Sequence, residues 1–243
     1  MRCLVLAGGL GTRLDPVTRT VPKCLIPVAG RPFAHWQLAW LASQGVTDVV
    51  YSIGHLGELV RAEVGDGAPW GVSVRYVDDG PERRGTAGAV RLAVDEGALG
   101  EDFFVLYGDS WLSISLPAVD AAYRAAGAPA LMTVYRNRGR WEHPNAVFAG
   151  GMVTWYEKGL ARPPAAMEYV DYGLSVLSAA VVRELVPAGR SADLAELFTP
   201  LSRAGRLAGF EATERFYEIG SPSGLTELEA LLAGSAQEAH RRR

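Results

Sequence analysis

Along its first half the chain alternates short apolar runs with amphipathic segments. Cys3–Leu6 is a continuous apolar run that stops at a glycine cluster, which predicts a buried first strand. Phe33, Trp36, Leu38, Trp40 and Leu41 recur at near-helical spacing between Pro32 and Gly45, predicting a helix over Pro32–Gln44. That spacing puts Phe33, Trp36 and Trp40 in the core. The same reading predicts a strand over Asp48–Ser52, a short helix over Leu56–Val64, a strand over Val72–Val77, a helix over Thr86–Glu96 and a strand over Phe103–Tyr107. Four apolar strands separated by helices indicate an α/β fold, with a parallel sheet covered on both faces. Ligands collect at the carboxyl ends of such strands, so the loops after Ala7, Val77 and Tyr107 are the first candidates for a site.

The second half is less regular. Strands are predicted over Ala130–Tyr135 and Val170–Leu177, with a hairpin of Ala146–Phe148 and Met152–Trp155 around Gly150–Gly151. Ser178–Leu185 and Asp193–Ala204 have helical patterns, Ala208–Ala212 and Arg215–Ile219 extended ones, and a last helix follows Pro222 over Ser223–Leu232. The proline-rich stretch from Arg162 to Ala166 is a loop, since periodic segments resume on both sides. No repeat or compositional break divides the chain, and a single domain over residues 1–243 is expected.

Composition narrows the function. The chain has 243 residues, 49% of them apolar and 21% charged, with a net charge of −3. These values exclude disorder and low-complexity repeats, and they lack the basic excess of a nucleic-acid binder. The terminal Arg241–Arg243 run reads as a solvated tail. Cys3 and Cys24 form no CxxC and have no histidine at ligand spacing, which suits two reduced cysteines. The apolar run after Arg2 is too short for a signal peptide, and no segment is long enough to cross a membrane. A cytoplasmic location is expected. One bias stands out: of the 24 Lys and Arg residues, only Lys23 and Lys158 are lysine. A lysine retained in such a chain suggests a site that needs a compact ammonium in place of a planar fork.

The strongest local signal is Leu6-Ala7-Gly8-Gly9-Leu10-Gly11-Thr12-Arg13-Leu14, directly after the first strand. Closely spaced glycines let backbone N–H groups approach a phosphate or a base, and they also serve simple turns. The order differs from a dinucleotide-binding fingerprint, because Asp15-Pro16 stands where a helix should continue, and no GK[ST] follows to make a Walker A loop.

Thr20-Val21-Pro22-Lys23-Cys24-Leu25-Ile26-Pro27-Val28-Ala29-Gly30-Arg31-Pro32 comes next. Together the two segments resemble the sugar-1-phosphate nucleotidyltransferases, whose pattern is LAGG-x-GTRL-x-P-x-T followed by PK-x-L-x-P-x-x-x-x-P. Residues 4–32 match nearly throughout, and weaker matches run on to about Leu225. The resemblance implies a Rossmann-like, mixed but mainly parallel sheet with helices on both faces, of the nucleotide-diphospho-sugar transferase type. Residues 1–110 would form mainly a nucleotide-binding half, 111–225 a sugar-phosphate half, and 226–243 a C-terminal helix and tail. The compact length implies no hexapeptide-repeat acyltransferase domain.

It also implies a reaction. A sugar 1-phosphate oxygen attacks the α-phosphorus of a nucleoside triphosphate in line, and pyrophosphate leaves; positioning and charge neutralisation supply most of the catalysis. By resemblance, Leu6, Ala7, Gly8, Gly9, Gly11, Thr12 and Gly108 line the nucleotide, Arg13 holds the departing pyrophosphate, and Lys23 binds near the α-phosphate. Glu82-Arg83-Arg84-Gly85-Thr86-Ala87-Gly88-Ala89 resembles the E-P-L-G-T-A-G-A segment of short mannose- and heptose-1-phosphate guanylyltransferases, with Arg83 and Arg84 departing from it. Gly85 and Thr86 would lie against the base. Glu82 is either an acceptor for guanine N1–H and its 2-amino group or a solvated loop acid. Tyr107-Gly108-Asp109 resembles the family's N-G-D, making Asp109 the expected Mg²⁺ ligand, against the alternative of a cap for a following helix. Trp155-Tyr156-Glu157-Lys158 matches an E-K element, so Lys158 would grip the sugar phosphate and Glu157 the hydroxyls. Asp171-Tyr172-Gly173 resembles a D-x-G segment in which Gly173 admits the sugar. Glu218 stands where the D-x-G-x-P element supplies a second metal carboxylate, and it reaches the ion directly, through water, or serves as a hydrogen-bonding group. Asn145 is a further sugar candidate.

The substrates implied are a nucleoside triphosphate, GTP favoured, and a heptose or hexose 1-phosphate. Thymidylyl, uridylyl and cytidylyl relatives share most of the motifs, and a homodimer stays open. A glycosyltransferase of related topology would show D-x-D where Gly108-Asp109-Ser110 stands, and a non-catalytic sensor would have lost Arg13, Lys23 or Asp109. His35, His55, His143 and His240 are scattered without a nucleophile pattern, and Arg136, Arg138 and Arg140 read as a solvated loop.

Overall fold

The computed structural model describes residues 1–9, 11, 14, 17–137, 140 and 142–241, with side chains up to 233. The apolar runs form one side of a nine-stranded sheet. Its first four members are β1 (Arg2–Leu6), β4 (Asp48–Ile53), β5 (Ser73–Asp78) and β6 (Asp102–Tyr107). They lie in the order β5-β4-β1-β6, and all three pairings are parallel. Register places Leu4 opposite Val50 on one side and Val105 on the other.

Alternation along these strands feeds two separate cores. Cys3, Val5, Phe104 and Leu106 face one side, where α1 (Phe33–Ser43), α2 (Gly57–Val64) and α4 (Leu116–Ala126) cover them. Leu4, Val50, Phe103 and Val105 face the other, under α3 (Gly85–Asp95), α5 (Ala179–Leu185) and α6 (Leu194–Arg203). β1, β4 and β6 are buried on both faces and so read as apolar runs, whereas β5 at the sheet edge alternates buried Val74 and Val77 with exposed Ser73, Arg75 and Asp78.

Beyond β6 the sheet becomes mixed. β11 (Tyr169–Ser178) runs antiparallel to both β6 and β8 (Ala130–Arg136), and β8 pairs in parallel with β12 (Leu207–Ala212). β9 (Ala146–Ala149) and β10 (Met152–Tyr156) form the predicted hairpin at the edge. α6 opens with a capping box: Asp193 accepts from the Ala195 N–H at 2.9 Å, and Glu196 accepts from the Asp193 N–H at 2.9 Å.

Several expectations change. α4 has no counterpart among the predicted spans; its apolar stripe is only Leu116, Val119 and Tyr123, and the cap is Ser115, not Asp109. The extended segment expected over Arg215–Ile219 narrows to β13 (Tyr217–Glu218), which pairs with β7 (Ser110–Trp111). The last helix, α7 (Pro222–Arg241), is longer than expected, and its Leu228 and Leu232 pack on Val28 and Phe33 in a third cluster. A two-residue hairpin, β2 (Pro27–Val28) and β3 (Arg31–Pro32), leads into α1. Both cysteines are unpaired and buried, and burial pushes each thiol up to about 12. Among the described residues, no helix is long and apolar enough to cross a membrane.

Candidate active site

The strand order reverses at β1: the chain adds β4 and β5 on one side, then returns to place β6 on the other. The loops leaving β1 and β6 therefore diverge and leave a crevice at the carboxyl ends. A cleft of about 780 Å³ lies there. Leu6, Ala7, Gly8, Gly9 and Gly11 line it, as do Lys23, Glu82, Gly85, Thr86, Gly108 and Asp109. These residues were selected in four separate motifs, and the fold brings them to one place. Thr12 and Arg13 lie outside the described residues, as do Arg138 and Trp141.

A Cβ on Gly8 would stand 2.5 Å from the Asp79 carboxylate, the movable end of a side chain, and one on Gly108 would stand 2.6 Å from the Leu6 backbone carbonyl, which leaves no room for it. The second approach is a hydrogen bond, since the Gly108 N–H donates to that carbonyl at 3.0 Å and ties the β6 loop to the end of β1. Gly9 has open space around it.

One wall of the cleft is charged. The Lys23 ammonium donates to Asp109 Oδ2 in a partly buried ion pair formed across 86 positions of sequence. Gln37 of α1, fully buried, holds the loop carrying Asp109: its Nε2 donates to the Tyr107 carbonyl at 3.0 Å and to the Ser110 carbonyl at 2.9 Å. The β13–β7 pairing sets Glu218 opposite Ser110, and the Ile219 N–H donates to the Asp109 carbonyl at 3.0 Å. Asp109 and Glu218, distant in sequence, thus flank one short ladder. Among the described residues, no group of three or more His, Cys, Asp or Glu side chains is gathered for a metal. A hard cation that takes its remaining ligands from phosphates needs no more than one or two protein carboxylates; Asp109 lines the cleft and suits that chemistry, while Glu218 is not among the lining residues.

The opposite wall follows β4 and β5. Asp79 lies just past β5, and Ser52 Oγ donates to its Oδ1 at 2.9 Å. Burial raises the Asp79 carboxyl, while Ser52 and the Arg84 guanidinium pull it down. Arg84 also donates from Nε to the Asp79 carbonyl at 2.6 Å, closing the loop on itself. Glu82 is exposed on that loop. Thr86 Oγ1 accepts from the Leu194 N–H at 2.8 Å, and the Gly88 N–H reaches the Ala192 carbonyl at 3.2 Å, so α3 begins braced against the start of α6.

Residues expected to hold the sugar group apart from this cleft. Asn145 Oδ1 accepts from the Asp171 N–H at 2.9 Å, and Asp171 Oδ1 accepts from the Gly173 N–H at 2.9 Å. Tyr107, which stands where the family pattern has asparagine, donates its hydroxyl to Asp171 Oδ2 at 3.4 Å and so joins this group to the β6 loop. Burial raises the Asp171 carboxyl to about 6, against the Gly173 N–H, the Lys158 charge and the Tyr107 hydroxyl. Lys158 is 58% exposed and paired with Asp193 at 3.1 Å. Glu157 accepts from Trp155 Nε1 at 3.1 Å and pairs with Arg203 at 3.3 Å. Neither lines the main cleft. Arg136, expected in a solvated loop, is instead the last residue of β8, where it pairs with Tyr169 and donates from Nε to Glu168 at 2.9 Å on the surface.

Sequence reasoning missed Gln37, Asp79 and the Tyr107–Asp171 contact. Gln37 carried one signal, a polar residue within the apolar stripe of α1. Asp79 sits in a loop that had been singled out, but nothing local distinguishes it from Asp78.

A family model described as nucleotidyl transferase matches residues 2–146. The chain is 40% identical over 132 residues to a glucose-1-phosphate thymidylyltransferase from Streptomyces antibioticus, covering 54% of this chain and 36% of that protein. It is 28% identical to an N-acetylmuramate α-1-phosphate uridylyltransferase from Neisseria meningitidis, over 95% of this chain and 98% of that protein. The chain thus spans about a third of the length of the thymidylyltransferase. In three dimensions it resembles HddC from Yersinia pseudotuberculosis, with a TM-score of 0.80 at 21% identity, over 95% of this chain and 99% of that one, a likeness of fold.

Two measurements check this geometry. Gln37→Leu leaves the Tyr107 and Ser110 carbonyls without their donor, and should lower stability by about 2 kcal/mol in urea melts; unchanged stability contradicts the clamp. Asp171 stays protonated in the fold above 3.8, its ordinary value, and up to about 6. Its stabilising contribution is therefore full below that ordinary value and is lost as pH rises through about 6. Asp171→Asn should remove this decline, and a wild-type minus variant difference that stays flat across the window contradicts it.

Proposed function

The chain belongs to the nucleotidyl transferase family, and we propose that it condenses a nucleoside triphosphate, GTP favoured, with a sugar 1-phosphate of the heptose or mannose type, releasing pyrophosphate. The observation that carries this reading is the contact of Lys23 with Asp109 at the carboxyl end of β6, in a cleft floored by Gly8 and Gly9. Such a cleft offers a cation and a carboxylate to a triphosphate, with exposed backbone beside them. The guanylyl preference rests on the Glu82–Ala89 motif. The relatives above act, by their names, with thymidylyl and uridylyl groups.

The nucleoside lies across Gly8 and Gly9, and Lys23 turns from Asp109 to the α-phosphate. An oxygen of the sugar 1-phosphate attacks the α-phosphorus opposite the bond to the β-phosphate; that bond breaks, and its electron pair leaves on pyrophosphate. Lys23 neutralises charge on the α-phosphate as it is attacked, in a partly buried site where an ammonium counts for more than in water. Arg13 takes the pyrophosphate side. Asp109 and Glu218 would hold Mg²⁺, which supplies charge neutralisation on the phosphates when bound. The sugar enters between Asn145 and Gly173, with Glu157 at its hydroxyls. Lys158 exchanges Asp193 for the sugar phosphate at small cost, because an exposed ion pair contributes less than about 1 kcal/mol. Residues 1–110 then serve mainly the nucleotide and 111–225 the sugar phosphate, in the cytoplasm.

Pyrophosphate release with Mg²⁺, for GTP, UTP, dTTP and CTP crossed with a panel of sugar 1-phosphates, tests the reaction. Turnover is expected with GTP and a heptose or mannose 1-phosphate, and turnover with no pair overturns the proposal. Lys23→Arg should lower kcat by roughly 100-fold with charge conserved, because a planar fork replaces a point charge at the reacting phosphate. Near-native activity of that variant contradicts the role given to Lys23.

A further inference from the structure

We infer that Tyr107 and Asp171 are positioning residues that hold the sugar-phosphate group in one alignment with the nucleotide cleft, the Tyr107 phenol acting as the strut between the two. The inference rests on the reaction proposed above. It gives a part to Tyr107, which stands where the family pattern has asparagine.

The need for a brace comes from a break in the sheet. The pairing of β11 with β6 begins at Leu174, opposite Leu106, and the register of β11 against β8 shifts between Asp171 and Ser175. Tyr172 and Gly173 thus lie outside the paired register of both ladders, and Gly173 takes a φ of +98°, which few side chains tolerate. Such a kink keeps its shape when its backbone groups find other partners. Asp171 Oδ1 accepts from the Gly173 N–H at 2.9 Å, and the buried Thr133 hydroxyl of β8 donates to the Leu174 carbonyl at 2.6 Å. Beneath the kink, a Cβ on Gly173 would stand 3.4 Å from the Tyr107 ring.

Asp171 also joins the sugar group together. Its N–H donates to Asn145 Oδ1 at 2.9 Å, and the Asn145 carbonyl accepts from the Glu157 N–H at 2.9 Å, one residue before Lys158. Tyr107 connects this assembly to the nucleotide side. It lines the cleft, its carbonyl is held by Gln37, and its hydroxyl donates to Asp171 Oδ2 at 3.4 Å. Burial raises the phenol well above its ordinary value, so it stays protonated and remains a donor. A shorter side chain at 107 would leave Oδ2 without this donor. In-line attack requires the acceptor oxygen to face the α-phosphorus closely, and a small misplacement between the two halves is enough to slow it.

Steady-state kinetics on the whole chain test the strut, using the nucleoside triphosphate and sugar 1-phosphate that the wild type turns over fastest. Circular dichroism at the assay temperature gives the folded fraction that normalises each rate. Tyr107→Phe keeps the ring and removes the hydroxyl, so kcat should fall roughly 10-fold while both KM values stay within about twofold. Asp171→Ala also frees the Gly173 N–H, and should raise the KM for the sugar 1-phosphate as well as lower kcat. Asp171→Asn keeps an oxygen for Gly173 and an amide that can donate to the phenol oxygen, so its kcat should stay within about threefold of wild type. In the Asp171→Ala background, Tyr107→Phe should cost nothing further. Wild-type kcat in Tyr107→Phe, a raised nucleotide KM in that variant, Asp171→Asn as impaired as Asp171→Ala, or additive losses in the double variant each overturn the inference and leave the reaction standing. No turnover by the wild type with any substrate pair overturns the proposed reaction, and the inference with it.

Discussion

The reversal of strand order at β1 is the constraint from which the site follows. A parallel sheet grown in one direction buries its strand ends under successive helices. Here β4 and β5 extend one side of β1 while β6 takes the other, and the loops leaving β1 and β6 part. The crevice must be floored by backbone, since the Leu6 carbonyl and Gly108 are already in hydrogen-bonding contact across it. It must also be walled by whatever follows β5 and β6. Asp79 and Asp109 occupy those two places, and the Lys23 ammonium is drawn to the second. The chemistry proposed for the protein is an arrangement of charge along the walls of this one gap.

Net charge and site charge are different quantities, and this chain separates them. With a net charge of −3 the protein has no excess of cations to attract phosphates at long range. Cations are instead placed individually: Lys23 in the wall of the cleft, and Lys158 outside it in an exposed pair with Asp193. The scarcity of lysine therefore has two structural meanings. Lys23 is held in a partly buried pocket where geometry counts. Lys158 is positioned loosely, and its charge helps to lower the Asp171 carboxyl.

What was legible in the sequence was local. The glycine cluster after Leu6, Lys23 and Gly108-Asp109 are short runs readable in isolation, and the fold gathers them around one cleft. α1 was legible to within a residue or two because its stripe is continuous. What escaped were contacts between distant segments. Gln37 and Ser110 are 73 positions apart, and Tyr107 and Asp171 are 64 apart. Neither glutamine nor tyrosine reveals in isolation that it will bridge such a gap. α4 escaped because three buried side chains in three turns make a thin stripe. Its proline near the first turn, which suits a helix start, reads equally well as a loop. Asp79 escaped because Asp78 stands beside it, and only strand register decides that the second turns toward Gly8 and the first toward solvent.

A crystal structure of the chain with Mg²⁺ and a non-hydrolysable GTP analogue tests the central claim, that one gap holds base and triphosphate in a fixed direction. The account predicts the nucleotide across Gly8 and Gly9, its α-phosphate within hydrogen-bonding distance of Lys23 Nζ and its base toward the β5 end of the cleft. A nucleotide bound outside the cleft, or bound with its phosphates toward β5 and its base toward Asp109, would contradict it.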